Sequence, residues 1–264
     1  MLRTIPLEEI ELNVFDAGTG HPVLFVHGFP LNHSMWRFQL EEFSKTHRVI
    51  APDLRGFGQS EDSANVSTMP VLADDCAAVL DALQIDRPVT LCGLSMGGYV
   101  AWQFWKRHPD RLHRLVLCDT RAAADSPEVR QGRRASSDRV LKQGTAFLAE
   151  SMIEKLFSPK TTSQQPDLVR DVQQMILTNS PQGVSAALLG MAARPDVTDW
   201  LPEINIPSLV IVGAADPISP VDEMRAIATA LPQSSLQIIP DAGHMSPLEQ
   251  PAIVNQHLRQ FLRA

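Results

Sequence analysis

A serine flanked by glycines is the residue of this sequence best placed to do chemistry. The motif Gly93-Leu94-Ser95-Met96-Gly97 follows an apolar, strand-like run and directly precedes a helical pattern. Glycines at both ends remove the side chains that would collide in a tight strand-to-helix turn. Such a turn lifts the Ser95 hydroxyl clear of the sheet and places it at a helix N-terminus, whose dipole favours a developing oxyanion. The motif therefore predicts a nucleophilic serine; the alternative is a glycine-rich turn with an incidental serine.

Further motifs give the whole chain a resemblance to the α/β-hydrolase family. In chain order they are His27-Gly28-Phe29-Pro30, Asp53-Leu54-Arg55-Gly56-Phe57-Gly58-Gln59-Ser60, the motif around Ser95, Gly213-Ala214-Ala215-Asp216-Pro217 and Gly243-His244. The resemblance implies that Asp216, after a late strand, is the catalytic acid. It also implies that His244, before the terminal helix, is the catalytic histidine. Asp119 is the alternative acid, because some members of this fold place the acid one strand earlier.

The resemblance also implies a role for each residue. His244 would take the Ser95 proton and return it to the leaving group, while Asp216 would orient the imidazole. The backbone N–H groups of Phe29 and Met96 would form an oxyanion hole. No metal or other cofactor is expected, since no metal-ligand spacing such as H-E-x-x-H occurs. His27–Pro30 resembles the loop that forms the oxyanion hole in this family, and is called the oxyanion loop below. Substrate contacts are expected in or beside this loop, at His27, Gly28, Pro30 and His33. For His27, a structural hydrogen-bonding role is the alternative.

Apolar runs and helical patterns alternate along the chain, which predicts βαβ units on a largely parallel sheet. Ile10–Asp16 is expected to be an edge strand that forms a hairpin with Val23–Val26. Further strands are expected at Arg48–Ala51, Val89–Cys92, Leu115–Cys118, Leu209–Val212 and Ser235–Ile239. The resemblance implies an α/β-hydrolase fold: a mostly parallel eight-stranded sheet flanked by helices, with a helical cap inserted after strand six.

Helical patterns fill the spaces between these strands. Helices are expected at Met69–Leu83, at Gly97–His108 and from Ser246 to about Leu262, where Ser246 and Glu249 form a capping box. Four more, two of them opening with Ser-Pro, are expected at Pro127–Lys142, Thr145–Phe157, Asp167–Leu177 and Gln182–Ala193. The prediction is a core of residues 1–121 and 203–264 and a helical cap of residues 122–202 that covers the site.

Composition narrows the functional classes. The 264 residues carry 23 basic and 30 acidic side chains and a formal net charge of −7, which argues against a nucleic-acid partner. No apolar run is long enough to span a bilayer, so no membrane partner is expected. The three cysteines form no C-x-x-C pair, and the first residues lack the apolar core of a signal peptide, which predicts a cytoplasmic protein. The Arg-rich stretch after residue 120 is interpreted as a solvated helix face rather than as a carboxylate clamp.

The motifs also separate this chain from relatives with other chemistry. Haloalkane dehalogenases and epoxide hydrolases use an aspartate where this chain has Ser95. The only tyrosine, Tyr99, cannot supply the cap tyrosines that such epoxide hydrolases need.

The predicted function is that of a carboxylesterase of small acyl esters. The alternatives are a 3-oxoadipate enol-lactonase-like enzyme, suggested by Cys118–Ala122, a cofactor-free perhydrolase, suggested by His27–Leu31, and a binding protein that has lost catalysis. The partner is then a small ester or lactone, and the oligomeric state is left open.

Overall fold

Eight strands form one sheet in the computed structural model, which describes residues 1–62 and 66–263. The strands are β1 (Leu2–Pro6), β2 (Glu11–Ala17), β3 (Pro22–Val26), β4 (Arg48–Pro52), β5 (Val89–Leu94), β6 (Leu112–Cys118), β7 (Ser208–Gly213) and β8 (Ser234–Ile239). Their order across the sheet is β1-β2-β4-β3-β5-β6-β7-β8. The pairings of β2 with β1 and β4 are antiparallel, and the other five are parallel. The predicted fold class is therefore confirmed.

The central strands are continuous apolar runs because helices cover both faces of the sheet. Every residue of β3, β5 and β7 is buried. Their register brings Leu24 opposite Ile50 on one side and Leu91 on the other. Burying such runs from end to end supplies most of the stabilisation of the sheet.

The predicted hairpin between the first two strand-like runs is wrong. Strand β2 pairs with β1 and β4, and β4 lies between β2 and β3. The connecting turn explains the change, because Gly18 and Gly20 both have positive φ and pack on the backbone that precedes β4. A Cβ on Gly18 would lie 2.1 Å from the His47 carbonyl oxygen, so the chain passes closely around the start of β4. Strand β1 is the true edge, and its weak apolar pattern follows from burial of Ile5 alone.

Eleven α-helices lie in the described part of the chain. They are α1 (Arg37–Phe43), α2 (Met69–Ala82), α3 (Met96–Arg107), α4 (Pro127–Gln143), α5 (Ala146–Leu156), α6 (Pro159–Gln164), α7 (Pro166–Leu177), α8 (Pro181–Ala192), α9 (Val221–Ala230), α10 (Ser246–Glu249) and α11 (Pro251–Arg263). No helix among the described residues has both the length and the apolar character needed to cross a membrane.

Helices α4 to α8 all lie between β6 and β7, where the cap was predicted. The four predicted cap helices are observed to within one residue at each end. Ser126 and Ser180 accept hydrogen bonds from the backbone three residues on, as expected of Ser-Pro helix starts. Ser158 does the same for α6, a short helix that the sequence pattern did not indicate. The exact cap boundaries at 122 and 202 stay a prediction.

The predicted terminal helix is two helices, α10 and α11. Gln250 leaves the helical conformation between them, with φ at −130°, and Pro251 opens the second helix. The predicted capping box is also wrong. No side chain caps α10, because Ser246 and Glu249 make their hydrogen bonds to other loops around the site.

Candidate active site

Ser95 occupies a strained turn between β5 and α3. Its backbone has φ of 53° and ψ of −112°, a region of the Ramachandran plot that residues other than glycine rarely adopt. The turn is held from the end of β6, since the Ser95 N–H donates to the Cys118 carbonyl at 3.0 Å and the Thr120 hydroxyl donates to the Ser95 carbonyl at 2.7 Å. From residue 89 to residue 104, Ser95 is the one residue that is not buried. The side chain does not cap α3. The hydroxyl is therefore presented at the end of the strand.

The neighbouring glycines permit this turn because other backbone lies against them. A Cβ on Gly93 would lie 2.3 Å from the Gly97 carbonyl oxygen. A Cβ on Gly97 would lie 2.2 Å from the carbonyl oxygen of Val26, at the end of β3. Both distances are far below van der Waals contact, so any larger residue would displace the turn.

His244 and Asp216 form a buried pair. The imidazole Nδ1 lies 2.8 Å from Asp216 Oδ2, and the Ser219 hydroxyl donates to the same oxygen. The other carboxylate oxygen accepts from the backbone N–H groups of Ile218 and Ser219. Burial raises the pKa of Asp216, but the charge and hydrogen bond of His244 and the Ser219 and Ile218 donors outweigh burial and lower it. An ionised Asp216 assigns the proton to Nδ1 and leaves Nε2 of the imidazole as the basic nitrogen.

Asp119, the alternative acid, lies at the end of β6 but does not contact the histidine. Its Oδ1 accepts from the Gly213 N–H at 2.7 Å, and its Oδ2 accepts from the Ser246 hydroxyl. Full burial and the nearby charge of Asp216 raise the pKa of this carboxyl well above its usual range. Asp119 thus joins the loop that carries Asp216 to the loop that carries His244.

The oxyanion loop after β3 reaches Ser95. A Cβ placed on Gly28 would lie 3.4 Å from the Ser95 Cβ. His27 holds this loop with both ring nitrogens: Nε2 accepts from the Leu54 N–H at 2.9 Å, which leaves the proton on Nδ1 to donate to the Gly28 carbonyl, also at 2.9 Å. Burial lowers the pKa of His27 to about 4. The ring is fully buried and neutral, so this placement favours the structural role over contact with a substrate.

Two backbone N–H groups beside Ser95 lack an internal partner in the described part of the chain: Met96 follows it in the chain, and Phe29 follows Gly28, which lies against it. Neither the Phe29 N–H nor the Met96 N–H donates a hydrogen bond to any other residue in the described ranges. Met96 is the first residue of α3, where the helix itself leaves N–H groups unpaired. These two donors are the ones that the resemblance assigned to an oxyanion hole.

His33 and Pro30 contact parts of the protein that the sequence motifs did not connect to them. The His33 Nδ1 lies 2.7 Å from Asp53 Oδ1, and the ring stacks on Phe15. Burial raises the pKa of Asp53, but hydrogen bonds and charge from His33 and an Asn13 hydrogen bond lower it overall. The Pro30 carbonyl accepts from the cap side chain of Asn179. The sequence carries no local signal for that contact.

The cap also supports the histidine loop, through a residue that the sequence assigned to a capping box. The Glu249 carboxylate accepts from the Gly243 N–H at 2.7 Å and from the Ser158 N–H at 2.8 Å. The Ser158 hydroxyl, at the junction of α5 and α6, donates to the Asp241 carbonyl. A Cβ on Gly243 would lie 2.7 Å from the Ser158 nitrogen, so the two backbones touch. The loop before His244 is therefore fixed from both the core and the cap.

Two arginines of the Arg-rich stretch, Arg121 and Arg133, form ion pairs with protein acids. Arg133 and Arg194 both contact the buried Asp125, at 2.6 and 2.8 Å. Arg121 pairs with Glu223 at 2.8 Å. Arg133 lies against α8, because α4 packs on that helix, and its guanidinium contacts the Met191 sulfur.

Comparison with known proteins places this architecture in a family. A family model of the alpha/beta hydrolase fold matches residues 21–251. The chain therefore belongs to the α/β-hydrolase family, as its motifs predicted.

Relatives of known structure or assigned name share nearly the whole chain. A thermophilic esterase from Thermogutta terrifontis, solved with malate bound, superposes with a TM-score of 0.96 and 49% sequence identity, over 100% of this chain and 97% of that one. The enol-lactonase from Burkholderia xenovorans LB400 superposes with a TM-score of 0.91 and 26% identity over 100% of both chains. The 3-oxoadipate enol-lactonase 2 of Acinetobacter baylyi is 28% identical over 262 residues, 98% of this chain and 96% of that protein.

Proposed function

We propose that this protein is a serine hydrolase that cleaves small carboxylic esters through a Ser95-His244-Asp216 triad. The observation that carries the proposal is the combination of a serine in a strained strand-to-helix turn with a buried, hydrogen-bonded His–Asp pair. Parallel neighbours β5, β6 and β7 carry Ser95, Asp119 and Asp216 directly after their carboxyl ends or within a short turn of them. Ligand sites of open α/β sheets lie at this edge.

The proposed reaction proceeds in two acyl-transfer steps. Ser95 Oγ attacks the ester carbonyl carbon while His244 Nε2 takes the hydroxyl proton. The tetrahedral oxyanion accepts hydrogen bonds from the Phe29 and Met96 N–H groups. Collapse breaks the bond to the alkoxy group, which leaves as an alcohol with the proton from His244. Water then attacks the acyl-enzyme by the same route, and the carboxylic acid is released.

Asp216 would stabilise the imidazolium that forms in each step. Its depressed pKa keeps it ionised at neutral pH, so it offers a negative charge 2.8 Å from Nδ1. An oriented and charge-stabilised imidazole is the requirement for general-base catalysis by this arrangement. The basic nitrogen of His244 is thus set by the hydrogen bond on the opposite side of the ring.

Two observations support a small ester as the substrate. The cap lies backbone to backbone on the core, since a Cβ on Gly56 would lie 2.4 Å from the Gly183 Cα in α8. A cap docked this closely on the core favours a small substrate over a long acyl chain. The relative with 49% identity is an esterase, and its chain is covered almost completely.

Lactone hydrolysis is the second candidate, because two enol-lactonases match this chain from end to end at 26% and 28% identity. The bond cleaved is again an ester, so the same triad and oxyanion hole would serve. The difference lies in the leaving alkoxide, which stays attached to the acyl group in a lactone. A lactone and an open-chain ester of equal size therefore discriminate between the two substrate classes.

The test is hydrolysis of p-nitrophenyl acetate, butyrate and octanoate and of a small lactone by the wild type and by Ser95→Ala, with and without hydrogen peroxide. We expect turnover that falls with chain length and that drops by about 10⁴-fold or more in Ser95→Ala. Peracid formation with peroxide would move the assignment to a perhydrolase. Undiminished turnover in Ser95→Ala would overturn the proposal, and no turnover of any compound by the wild type would favour a non-catalytic binding protein.

A further inference from the structure

Asn179 is a buried cap side chain that uses its amide on three partners. It lies between α7 and α8 and is 3% exposed. Its Nδ2 donates to the Pro30 carbonyl at 2.7 Å and to the Met175 carbonyl at 3.0 Å. Its Oδ1 accepts from the Gly58 N–H at 2.9 Å. One cap residue therefore joins the end of α7 to two loops of the core.

The Pro30 carbonyl belongs to the turn that carries the Phe29 N–H. The turn closes on itself through the Leu31 N–H, which donates to the Gly28 carbonyl at 3.0 Å. His27 binds the same Gly28 carbonyl, so the first half of the turn is fixed from within the core. The second half of the turn is held from the cap: its Pro30 carbonyl accepts a hydrogen bond from the Asn179 side chain. The Pro30 carbonyl shares its planar peptide group with the Leu31 N–H, and the Gly28 carbonyl shares its peptide group with the Phe29 N–H. Asn179 therefore holds the peptide whose N–H in turn holds the Phe29 peptide.

We propose that Asn179 is a positioning residue of the oxyanion hole. By holding the Pro30 carbonyl, the cap amide keeps the turn in the orientation that aims the Phe29 N–H at the carbonyl oxygen of a substrate on Ser95. The inference rests on the proposed function, since it assigns Phe29 to the stabilisation of the acyl-transfer oxyanion. It makes the cap part of the catalytic support and not only a cover.

The consequence is confined to the transition state. An oxyanion donor strengthens its hydrogen bond as negative charge develops, so a misdirected donor lowers kcat more than it changes KM. Loss of a whole donor typically lowers kcat by about 10²–10³-fold. Misdirection of one donor should cost less, and we expect a decrease of about 10- to 100-fold in kcat.

Asn179→Asp separates the two sides of this amide. The substitution keeps the shape and the acceptor for the Gly58 N–H, but an ionised carboxylate cannot donate to the Pro30 carbonyl. Asn179→Ala removes all three side-chain hydrogen bonds and serves as a second variant. The matched control is Asn255→Asp, because Asn255 is also buried, accepts from Gln39 and donates to the Phe38 carbonyl, which lies outside the oxyanion loop.

The measurements are kcat and KM on p-nitrophenyl butyrate, the inhibition constant of a trifluoromethyl ketone, and the thermal unfolding midpoint. We expect Asn179→Asp and Asn179→Ala to lower kcat about 10- to 100-fold, to keep KM within about threefold, and to weaken the ketone in proportion to kcat/KM. Asn255→Asp should lower the unfolding midpoint and leave kcat unchanged.

Two results would overturn the inference. If both Asn179 variants keep the wild-type kcat while unfolding earlier, the residue only anchors the cap. If KM rises and kcat does not change, Asn179 acts on substrate binding and not on the oxyanion hole. Failure of the proposed function is recognised separately, since the wild type would then show no turnover that depends on Ser95.

Discussion

The ends of β6 and β7 each carry a buried aspartate, and the two carboxyls have opposite pKa shifts. At Asp216 burial raises the pKa, but His244 and the Ser219 and Ile218 donors lower it more. At Asp119 burial and the charge of Asp216 raise the pKa well beyond what the Ser246 and Gly213 hydrogen bonds can offset. Burial is therefore common to both carboxyls, and the contact with His244, which only Asp216 makes, gives the two pKa shifts opposite signs.

The same difference separates their roles. A carboxylate beside the imidazole can stabilise the imidazolium, whereas a carboxyl that is hydrogen-bonded only to two loops can position them. One carboxyl oxygen of Asp119 accepts from the N–H of Gly213, at the end of β7. The other accepts from the hydroxyl of Ser246, two residues after His244. We therefore propose Asp216 as the catalytic acid, whereas Asp119 joins the two loops by hydrogen bonds.

The largest effect is expected for Asp216→Asn. The amide keeps the size of the side chain but loses the charge, and it favours the wrong imidazole tautomer. A decrease of about 10⁴-fold in kcat is typical of that change. Steady-state hydrolysis of p-nitrophenyl butyrate measures it. A variant that retains more than about a tenth of wild-type kcat would remove Asp216 from the triad.

An intermediate effect is expected for Asp119→Ala, which leaves the Gly213 N–H and the Ser246 hydroxyl without their partner. Displacement of catalytic groups by about 1 Å can lower the rate about 10²-fold, and we expect a loss of kcat of that order. Equal losses in Asp119→Ala and Asp216→Asn would show that the comparison is wrong and that Asp119 participates in the chemistry.

A small effect on rate is expected for Asp119→Asn, because the amide oxygen can accept from the Gly213 N–H and the amide N–H can donate to the Ser246 hydroxyl oxygen. We expect kcat within about threefold of the wild type.

The stability of Asp119→Asn should depend on pH differently from that of the wild type. Because the pKa of Asp119 is raised in the folded protein, the stability that this group contributes is lost as the pH rises from about 4, the unfolded value, through the folded pKa. Denaturant unfolding at pH 5 and pH 8 measures this difference. The free energy of unfolding of Asp119→Asn should increase relative to that of the wild type as the pH rises. A constant difference would mean that the folded carboxyl is ionised.

The smallest effect is expected on stability, at His27. Its neutral, buried imidazole holds the oxyanion loop by hydrogen bonds. Its pKa is lowered to about 4, so between roughly pH 6.5 and that value the unfolded chain binds a proton that the folded protein excludes. Stability should therefore fall as the pH drops through this window. In this pH window the unfolding free energy of His27→Gln should depend less steeply on pH than that of the wild type, by the slope that corresponds to about one proton. An unchanged slope would show that the folded ring is protonated.

The reliable sequence predictions were local ones. The strand, turn and helix around Ser95 follow from a few consecutive residues, and the central strands follow from continuous apolar runs that two covered faces require. The position of β2 was not predictable in this way. Strand pairing depends on which segments meet in space, and the hairpin expected after Ile10–Asp16 was replaced by the insertion of β4.

The support of the site was also beyond local patterns. Ser246 and Glu249 fit a capping box by spacing, yet their partners are Asp119, Gly243 and Ser158 in other parts of the chain. The bond between Asn179 and Pro30 joins residues 149 positions apart. Such contacts follow from tertiary packing, and no short motif encodes them. The sequence therefore indicated which residues could react, and the structure was needed to find what holds them.

The central claim is that Ser95 is a nucleophile activated by the pair of His244 and Asp216. The most direct measurement is the rate and site of labelling by a fluorophosphonate, followed by intact mass and peptide mapping. We predict one adduct per chain on Ser95, at wild-type rate in Asp119→Asn and far more slowly in Asp216→Asn. An adduct on another residue, or equal labelling rates in the wild type and Asp216→Asn, would contradict the claim.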